Sequence, residues 1–357
     1  MTDDARSIPK HRPIWLGVLG TLALSTPALP APPPHLEFVQ LTNTTNGAVC
    51  GNYYPSINAL GNRVAFTSFC DLTGQNPDNN AEVFVMNAGG GNVRQLTFST
   101  GSSSQNVSIS PLGTRVVFAS NVDLVPGQNA DGNSEIFTIH VDGTGLTQLT
   151  HTSGGDPENW GGCAHPSYSP TGQKILFSSE RDLIPGGNTG GNHALFLMNT
   201  DGTDLVQLAN TTGGWDGSLG AGGRVVFSSG FDLVPGENAD GNLELFTMLL
   251  DGTDLKQVTH TTGGLGNAAP RFSANGEWIA FRSDLDLVGN NPDLSFEVFR
   301  MKAAGTNVVQ VTSSSAGFSA PWDTGPGKMI AIQSDQDLVP GSNPDHNFEI
   351  FLARLVP

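Results

Sequence analysis

Short runs of β-branched and aromatic residues recur along the chain, separated by clusters of Gly, Asn, Asp, Ser and Pro. One run has a basic residue before three apolar ones, as in Arg115–Phe118, and the next starts with Glu and two apolar residues, as in Glu135–Phe137. Runs of this length between turn-forming residues are typical of β-strands. Their apolar side chains occupy both faces, which predicts sheets that are covered on both sides.

This strand pattern repeats six times. Every copy carries an Asp-Leu pair between the two runs, and the aspartates are Asp71, Asp123, Asp182, Asp232, Asp286 and Asp337. Neighbouring copies lie 50 to 59 residues apart, a period that indicates a repeat architecture. Each repeat contains two further strand signals. One is a weaker run before a Ser-x-x-Gly turn, and the other is a final run that ends in Gln-Leu-Thr, so the repeat has four predicted strands. Four such strands, repeated radially, form a β-propeller blade.

The two ends of the pattern are out of phase with the repeat. The chain opens with Phe38–Thr42, a fourth strand without a blade before it, and ends with Phe351–Arg354, a third strand without a fourth after it. We predict that these halves complete one blade. The predicted fold is therefore an all-β, six-bladed β-propeller of four-stranded antiparallel blades, spanning residues 38–357 and closed by its N-terminal strand.

The first 31 residues have the order of a secretory signal peptide. A basic segment, Lys10–Arg12, precedes the apolar run Ile14–Leu24 and then small residues up to Ala31, which is the order that a signal peptide requires. Residues 32–37 are predicted to be a linker. We expect a periplasmic or extracellular protein, with no membrane insertion after cleavage.

Export makes disulfides possible. The chain has three cysteines, so at least one is unpaired. Cys50 and Cys70 lie in one repeat and form the first candidate bridge; Cys50 with Cys163 is the alternative.

Composition narrows the classes of partner. Only 14% of the residues are charged, the net charge is −17, and Gly (45) and Pro (23) are abundant. Gly and Pro weaken helix interiors, in keeping with a chain of strands and turns. An acidic surface repels phosphate backbones, so nucleic acid is excluded as a partner. We expect a soluble monomer.

The loop between the second and third strands ends in alternating oxygen-bearing residues, Asn-x-Asp-x-Asn-x-Glu. Such oxygens are the ligands of Ca²⁺, so calcium is the one cofactor that the sequence suggests, with the upstream Asp as a further ligand. The four complete loops contain Asp71, Asn76, Asp78, Asn80, Glu82; Asp123, Asn129, Asp131, Asn133, Glu135; Asp232, Asn238, Asp240, Asn242, Glu244; and Asp337, Asn343, Asp345, Asn347, Glu349.

A structural role for these loops is the competing interpretation. Asn, Asp and Gly are ordinary turn formers, and in an extended chain residues two apart are roughly 6.6 Å apart, too far to share one ion. The fifth repeat has Ser295 in place of the second Asn, and the third has Gly190 and Ala194 in place of both carboxylates. If a metal binds, the third repeat should not bind it.

Aromatic side chains and a histidine are concentrated in the loops before the first strands. Variable loops on a rigid scaffold are where binding residues are usually found, and the candidate ligand-binding residues are Trp160, His165, Trp215 and Trp322. Alternatively, these rings fill the central channel. No nucleophile elbow, phosphate loop or zinc-binding helix motif occurs, and no catalytic residue is predicted.

The combination of Ser-Pro-x-Gly, an apolar strand, Asp-Gly-Asn-x-Glu-Ile-Phe, Asp-Gly-Thr and Gln-Leu-Thr resembles the TolB-type propeller repeat. The resemblance extends from residue 38 to 357. It implies a six-bladed periplasmic or secreted propeller in a family used mainly to bind proteins or peptides, and it transfers no catalytic residue because the shared positions are structural.

The function expected from these observations is that of an exported, non-catalytic binding or scaffold propeller, with calcium as a candidate stabilising ion. Its ligand would be a protein or peptide, or a glycan. The alternative is a secreted hydrolase or lyase whose active site lies at the channel mouth.

Overall fold

The computed structural model describes residues 35–356 except 46–49, 102, 155–161, 210, 316 and 326–328. The predicted signal peptide lies outside these residues. Within them, 24 strands form six four-stranded antiparallel sheets, so the predicted six-bladed propeller is confirmed. No helix in this part of the chain is long and apolar enough to cross a membrane.

Each blade has a long first, second and third strand and a short fourth strand, apart from the long fourth strand of the sixth blade. The first strands are β2 (Asn52–Ile57), β6 (Ser104–Ile109), β10 (Cys163–Tyr168), β14 (Trp215–Gly220), β18 (Asn267–Phe272) and β22 (Ser319–Thr324). The second strands are β3 (Arg63–Ser68), β7 (Arg115–Ser120), β11 (Lys174–Ser179), β15 (Arg224–Ser229), β19 (Trp278–Ser283) and β23 (Ile330–Ser334). The third strands are β4 (Glu82–Asn87), β8 (Glu135–His140), β12 (Ala194–Asn199), β16 (Glu244–Leu249), β20 (Glu297–Lys302) and β24 (Glu349–Val356). The fourth strands are β5 (Arg94–Gln95), β9 (Thr147–Gln148), β13 (Val206–Gln207), β17 (Lys256–Gln257), β21 (Val309–Gln310) and β1 (His35–Gln40).

The ring is closed. Each first strand contacts the first strands of both neighbouring blades, and β22 contacts β2. The N-terminal strand β1 pairs antiparallel with β24 along six residue pairs, from His35 opposite Val356 to Gln40 opposite Phe351. The closing strand therefore begins at His35, earlier than the predicted Phe38, because pairing continues to the end of the long β24.

The core consists of apolar clusters between neighbouring blades. Five blades carry a stacked pair of buried phenylalanines on their second and third strands, such as Phe118 and Phe137 with ring centroids 5.8 Å apart. The apolar cover predicted on both sheet faces is confirmed because each sheet packs on two neighbours.

The structure also contains the predicted turns and one of the two candidate disulfides. In the turn Ser110–Gly113 the Gly113 N–H donates to the Ser110 carbonyl oxygen (2.7 Å), and Gly113 has a φ of 69° that glycine accepts without strain. Cys50 and Cys70 form the disulfide, and Cys163 is free and buried. The first candidate bridge is therefore the one formed.

Candidate binding site at the upper end of the central channel

Every first strand contains a β-bulge, seen as a register shift against the second strand. A bulge bends a strand and redirects a side chain. In five blades a bulge residue has a positive φ: Tyr54, Asn106, His165, Asp216 and Ala269. We call the face on which the second-to-third and fourth-to-first loops emerge the upper face. The bulges lie near the middle of each first strand.

Trp322 lies at the centre of the aromatic part of this site. His165, from the third blade, stacks parallel to it across the ring, with centroids 6.3 Å apart and planes inclined by 7°. Tyr54 meets it edge-on at 4.6 Å, and the Arg271 guanidinium carbon lies 5.2 Å from its ring centroid. Trp215 contacts His165 edge-on at 5.9 Å. We call Tyr54, His165, Trp215, Asp216, Arg271 and Trp322 the funnel.

One buried carboxylate holds the polar part of the funnel together. Asp216, whose side chain is 1% exposed, places Oδ1 2.7 Å from His165 Nδ1 and 3.7 Å from Arg271 Nη2. Burial disfavours ionisation of Asp216, but the contact and hydrogen bond with His165 and the charges of the nearby arginines outweigh it and hold the pKa of that carboxyl below its usual range. Asp216 is therefore an anion at neutral pH. Arg271 also donates from Nε to the Trp322 carbonyl oxygen (2.8 Å).

Besides His165 Nδ1, which lies against Asp216, the buried nitrogens Trp322 Nε1, Arg282 Nε and His193 Nδ1 have no hydrogen-bond partner in the described structure. Buried polar groups are normally paired, so these nitrogens are candidates for hydrogen bonds to a ligand that reaches them. Burial lowers the pKa of His193 in spite of Glu180, whose carboxylate lies 3.0 Å from its Nε2.

A second ring of polar residues lies below the bulges. Four blades place a serine at the same register position, and the fifth and sixth place Arg271 and Asp323 there. Ser56 donates to Asp323 Oδ2 (2.5 Å) and accepts from the Ile109 N–H of the next blade (2.9 Å). Burial raises the pKa of Asp323 to about 6, although the hydrogen bonds that it accepts from the Ser56 hydroxyl and the Thr324 N–H act to lower it. A small cavity of about 70 Å³ adjoins this ring.

The candidate calcium loops lie on the same upper face, and their side chains make hydrogen bonds within the loops. In the second blade, the upstream Asp123 accepts from the backbone N–H groups of Gly127, Gln128 and Asn129, and these bonds lower its pKa. The fully buried Glu135 accepts from the Thr150 and Thr152 hydroxyls. In the described residues, no three His, Cys, Asp or Glu side chains converge as a metal site.

The structure brings together three of the four predicted ligand-binding residues, His165, Trp215 and Trp322. The fourth, Trp160, lies outside the described residues. Sequence reasoning missed Asp216 and Arg271. Arg271 could have been found by aligning the six first strands, since it replaces a serine that four repeats share.

These features define a class: a closed six-bladed propeller with an aromatic and charged funnel at one end of its channel. No protein-family profile and no curated protein matches the chain. Among solved structures, TolB from Acinetobacter baumannii is similar at 17% identity and a TM-score of 0.54, covering 75% of this chain and 56% of that one. A candidate TolB from Agrobacterium tumefaciens shares 16% identity with a TM-score of 0.53, covering 86% and 90%. The tricorn protease shares 16% identity with a TM-score of 0.53, covering 84% and 26%. At these identities the comparisons confirm the TolB-type resemblance at the level of fold.

Proposed function

We propose that the chain is an exported binding propeller that takes a protein or peptide segment, or a glycan, into the funnel. The observation that carries the proposal is the convergence of Trp215, His165 and Trp322, from three different blades, around one buried carboxylate. Aromatic rings with unpaired polar tips are typical of binding sites, because they combine apolar contact area with directional hydrogen bonds.

Rigidity supports the same function. The rings stack on one another and Arg271 is fixed by Asp216 and by the Trp322 carbonyl oxygen. Side chains that are already ordered lose little conformational freedom when a ligand binds. The funnel is thus prepared for binding on a scaffold that need not move.

The test is selection of binders from a displayed peptide library and from a glycan array, followed by affinity measurement with Trp322→Ala. The matched control is Trp278→Ala, because Trp278 lines a separate cleft of about 350 Å³ next to Met329. We expect selected ligands to lose at least tenfold in affinity with Trp322→Ala and to be unaffected by Trp278→Ala. Equal affinities in both variants would place binding elsewhere.

The hydrolase or lyase alternative is favoured by one observation, the 2.7 Å contact between His165 and Asp216 beside a buried arginine. A histidine oriented by a carboxylate is an arrangement that general acid–base catalysis uses. Turnover of peptide, ester or uronide substrates that disappears in His165→Gln would support this alternative. Ligand binding that weakens in His165→Gln, with no turnover in the parent, would support the binding propeller.

A further inference from the structure

The complete loops on the upper face do not run straight. In the second blade the Gly132 N–H donates to the Asn129 carbonyl oxygen (3.2 Å), and Asn129 Nδ2 donates to the Asn133 carbonyl oxygen (2.9 Å). Gly132 has a φ of 68°. The segment is therefore a tight turn, and the spacing of an extended chain, which argued against a shared ion, does not apply to it.

These turns leave amide oxygens buried without a donor. Asn129 and Asn133 are each 2% exposed, and the Oδ1 atoms of both have no hydrogen-bond partner. The same holds for Asn238 Oδ1 and Asn343 Oδ1, in residues 3% and 1% exposed, and for Asn76 Oδ1. Buried acceptors without donors are rare in folded proteins. Their recurrence in every blade with a complete loop points to a shared partner, either a hydrogen-bond donor or a cation.

The fifth blade shows that the side chains of the motif converge. There Ser295 Oγ lies 3.2 Å from Asn291 Oδ1, 3.3 Å from Asp293 Oδ1 and 3.2 Å from Glu297 Oε1. Neighbouring ligands of an ion that binds oxygen at about 2.4 Å lie about 3.4 Å apart in octahedral geometry. Asn291, Asp293 and Glu297 therefore each bring one oxygen to this spacing from the Ser295 oxygen. In this blade the serine hydroxyl supplies a proton to the acceptors.

The other polar groups of the loop are already in use and define which atoms remain. Asp131 Oδ2 accepts from the Gly154 N–H (2.9 Å) of the following loop. Both oxygens of Asp123 accept backbone N–H groups, so this upstream aspartate braces the loop. Glu135 Oε1 accepts from the Thr152 N–H and hydroxyl, which orient this oxygen. The candidate ligands are Glu135 Oε1, Asp131 Oδ1 and the two amide oxygens of Asn129 and Asn133. Two carboxylates and two neutral oxygens match the charge of a divalent cation.

We propose that the first, second, fourth and sixth blades each bind one Ca²⁺ through the Asn, Asp, Asn and Glu side chains of the loop, with water completing the coordination. Ca²⁺ accepts many oxygen ligands in flexible geometry, whereas Mg²⁺ requires a near-ideal octahedron and retains its water. The third blade, with Gly190 and Ala194, lacks both carboxylates and binds none.

The experiment is equilibrium dialysis of the EDTA-treated full chain against ⁴⁵Ca²⁺ in excess Mg²⁺. We expect about four ions per chain in the parent, about three in Asp131→Ala and about four in Asp142→Ala. Asp142 is an exposed aspartate of the hairpin on the lower face and serves as the matched control. Asp240→Ala provides a second single-site loss in a different blade.

A parent chain that binds no calcium at millimolar concentration would overturn the proposal and leave water as the partner of the amide oxygens. Unchanged stoichiometry in both Asp131→Ala and Asp240→Ala would also overturn it. Installing Gly190→Asp together with Ala194→Glu should add about one ion, because it restores the carboxylates of the third blade. None of these results depends on the funnel, so they leave the proposed binding function to its own test.

Discussion

The closing strand β1 provides the sharpest test of the fold. We expect a chain that begins at residue 43, and so lacks β1, to lose much of its stability compared with a chain that begins at residue 35. Both start beyond the predicted signal peptide, so they differ only by this strand and the two residues that follow it, Leu41 and Thr42. Without β1, the third strand β24 becomes an exposed edge with unpaired backbone groups.

The magnitude follows from the pairing. Six residue pairs correspond to about six ladder hydrogen bonds, which contribute roughly 0.5–1.5 kcal/mol each and 3–9 kcal/mol together. Leu36 and Phe38 are half-buried against the cluster that contains Phe351 and add about 2 kcal/mol. The expected loss, of the order of 5–10 kcal/mol, approaches the whole stability of a typical domain. For a domain of this size, it lowers Tm by roughly 7–15 °C.

The assay is calorimetric melting of both chains, followed by addition of a synthetic peptide of residues 35–42 to the shorter one. We expect the peptide to restore part of the lost Tm, since it can occupy the vacant edge of β24. The reasoning would be refuted by a shorter chain that melts cooperatively within about 2 °C of the longer one.

Three further predictions concern buried groups. Glu244→Ala should lower the free energy of unfolding, measured with urea in EDTA, by about 3–5 kcal/mol, because Glu244 accepts four hydrogen bonds from buried or half-buried donors. Replacing the exposed Glu237 by Ala should lower it by less than about 0.5 kcal/mol. Equal losses in the two variants would contradict a structural role for these hydrogen bonds. The raised pKa of Asp323 favours its protonated form in the folded state, so its contribution is complete below about pH 4 and is lost as the pH rises through about 6. Asp323→Asn should therefore match the parent near pH 4 and exceed it by about 2 kcal/mol at pH 7–8; a variant no more stable at pH 8 than at pH 4, relative to the parent, would refute this. Burial raises the pKa of Cys163 to about 12, so a thiol reagent should label it only after unfolding, and rapid labelling of the native protein would show that the site opens.

Strand number, turn positions and ring closure could be predicted from the sequence because each depends on a local pattern. Arg115–Phe118 and Ser110–Gly113 carry their own strand and turn signals, and the phase of the two chain ends indicates closure. The funnel could not be assembled in this way. His165 and Trp322 come from opposite sides of the ring, and their contact depends on bulges that the sequence does not mark with a glycine.

The candidate calcium loop illustrates the same limit at shorter range. Gly132 signals a turn in the second blade, but its equivalents Leu294 and His346 also adopt a positive φ without being glycine. The turn is imposed by the Asn side chain that reaches the carbonyl oxygen four residues on, as Asn291 and Asn343 show. The residue types alone did not reveal that this hydrogen bond folds the loop into a turn, where the sequence analysis assumed an extended chain.

The antiparallel register of β1 and β24 also determines how the ring responds to force. His35 lies opposite Val356, so the first residue of the closing ladder and the last lie side by side. A pull applied between them loads one residue pair at a time and unzips the ladder, whereas a parallel closing strand would be sheared with all its pairs loaded together. In a single-molecule extension experiment held at these two residues, the sixth blade should therefore open first and at low force.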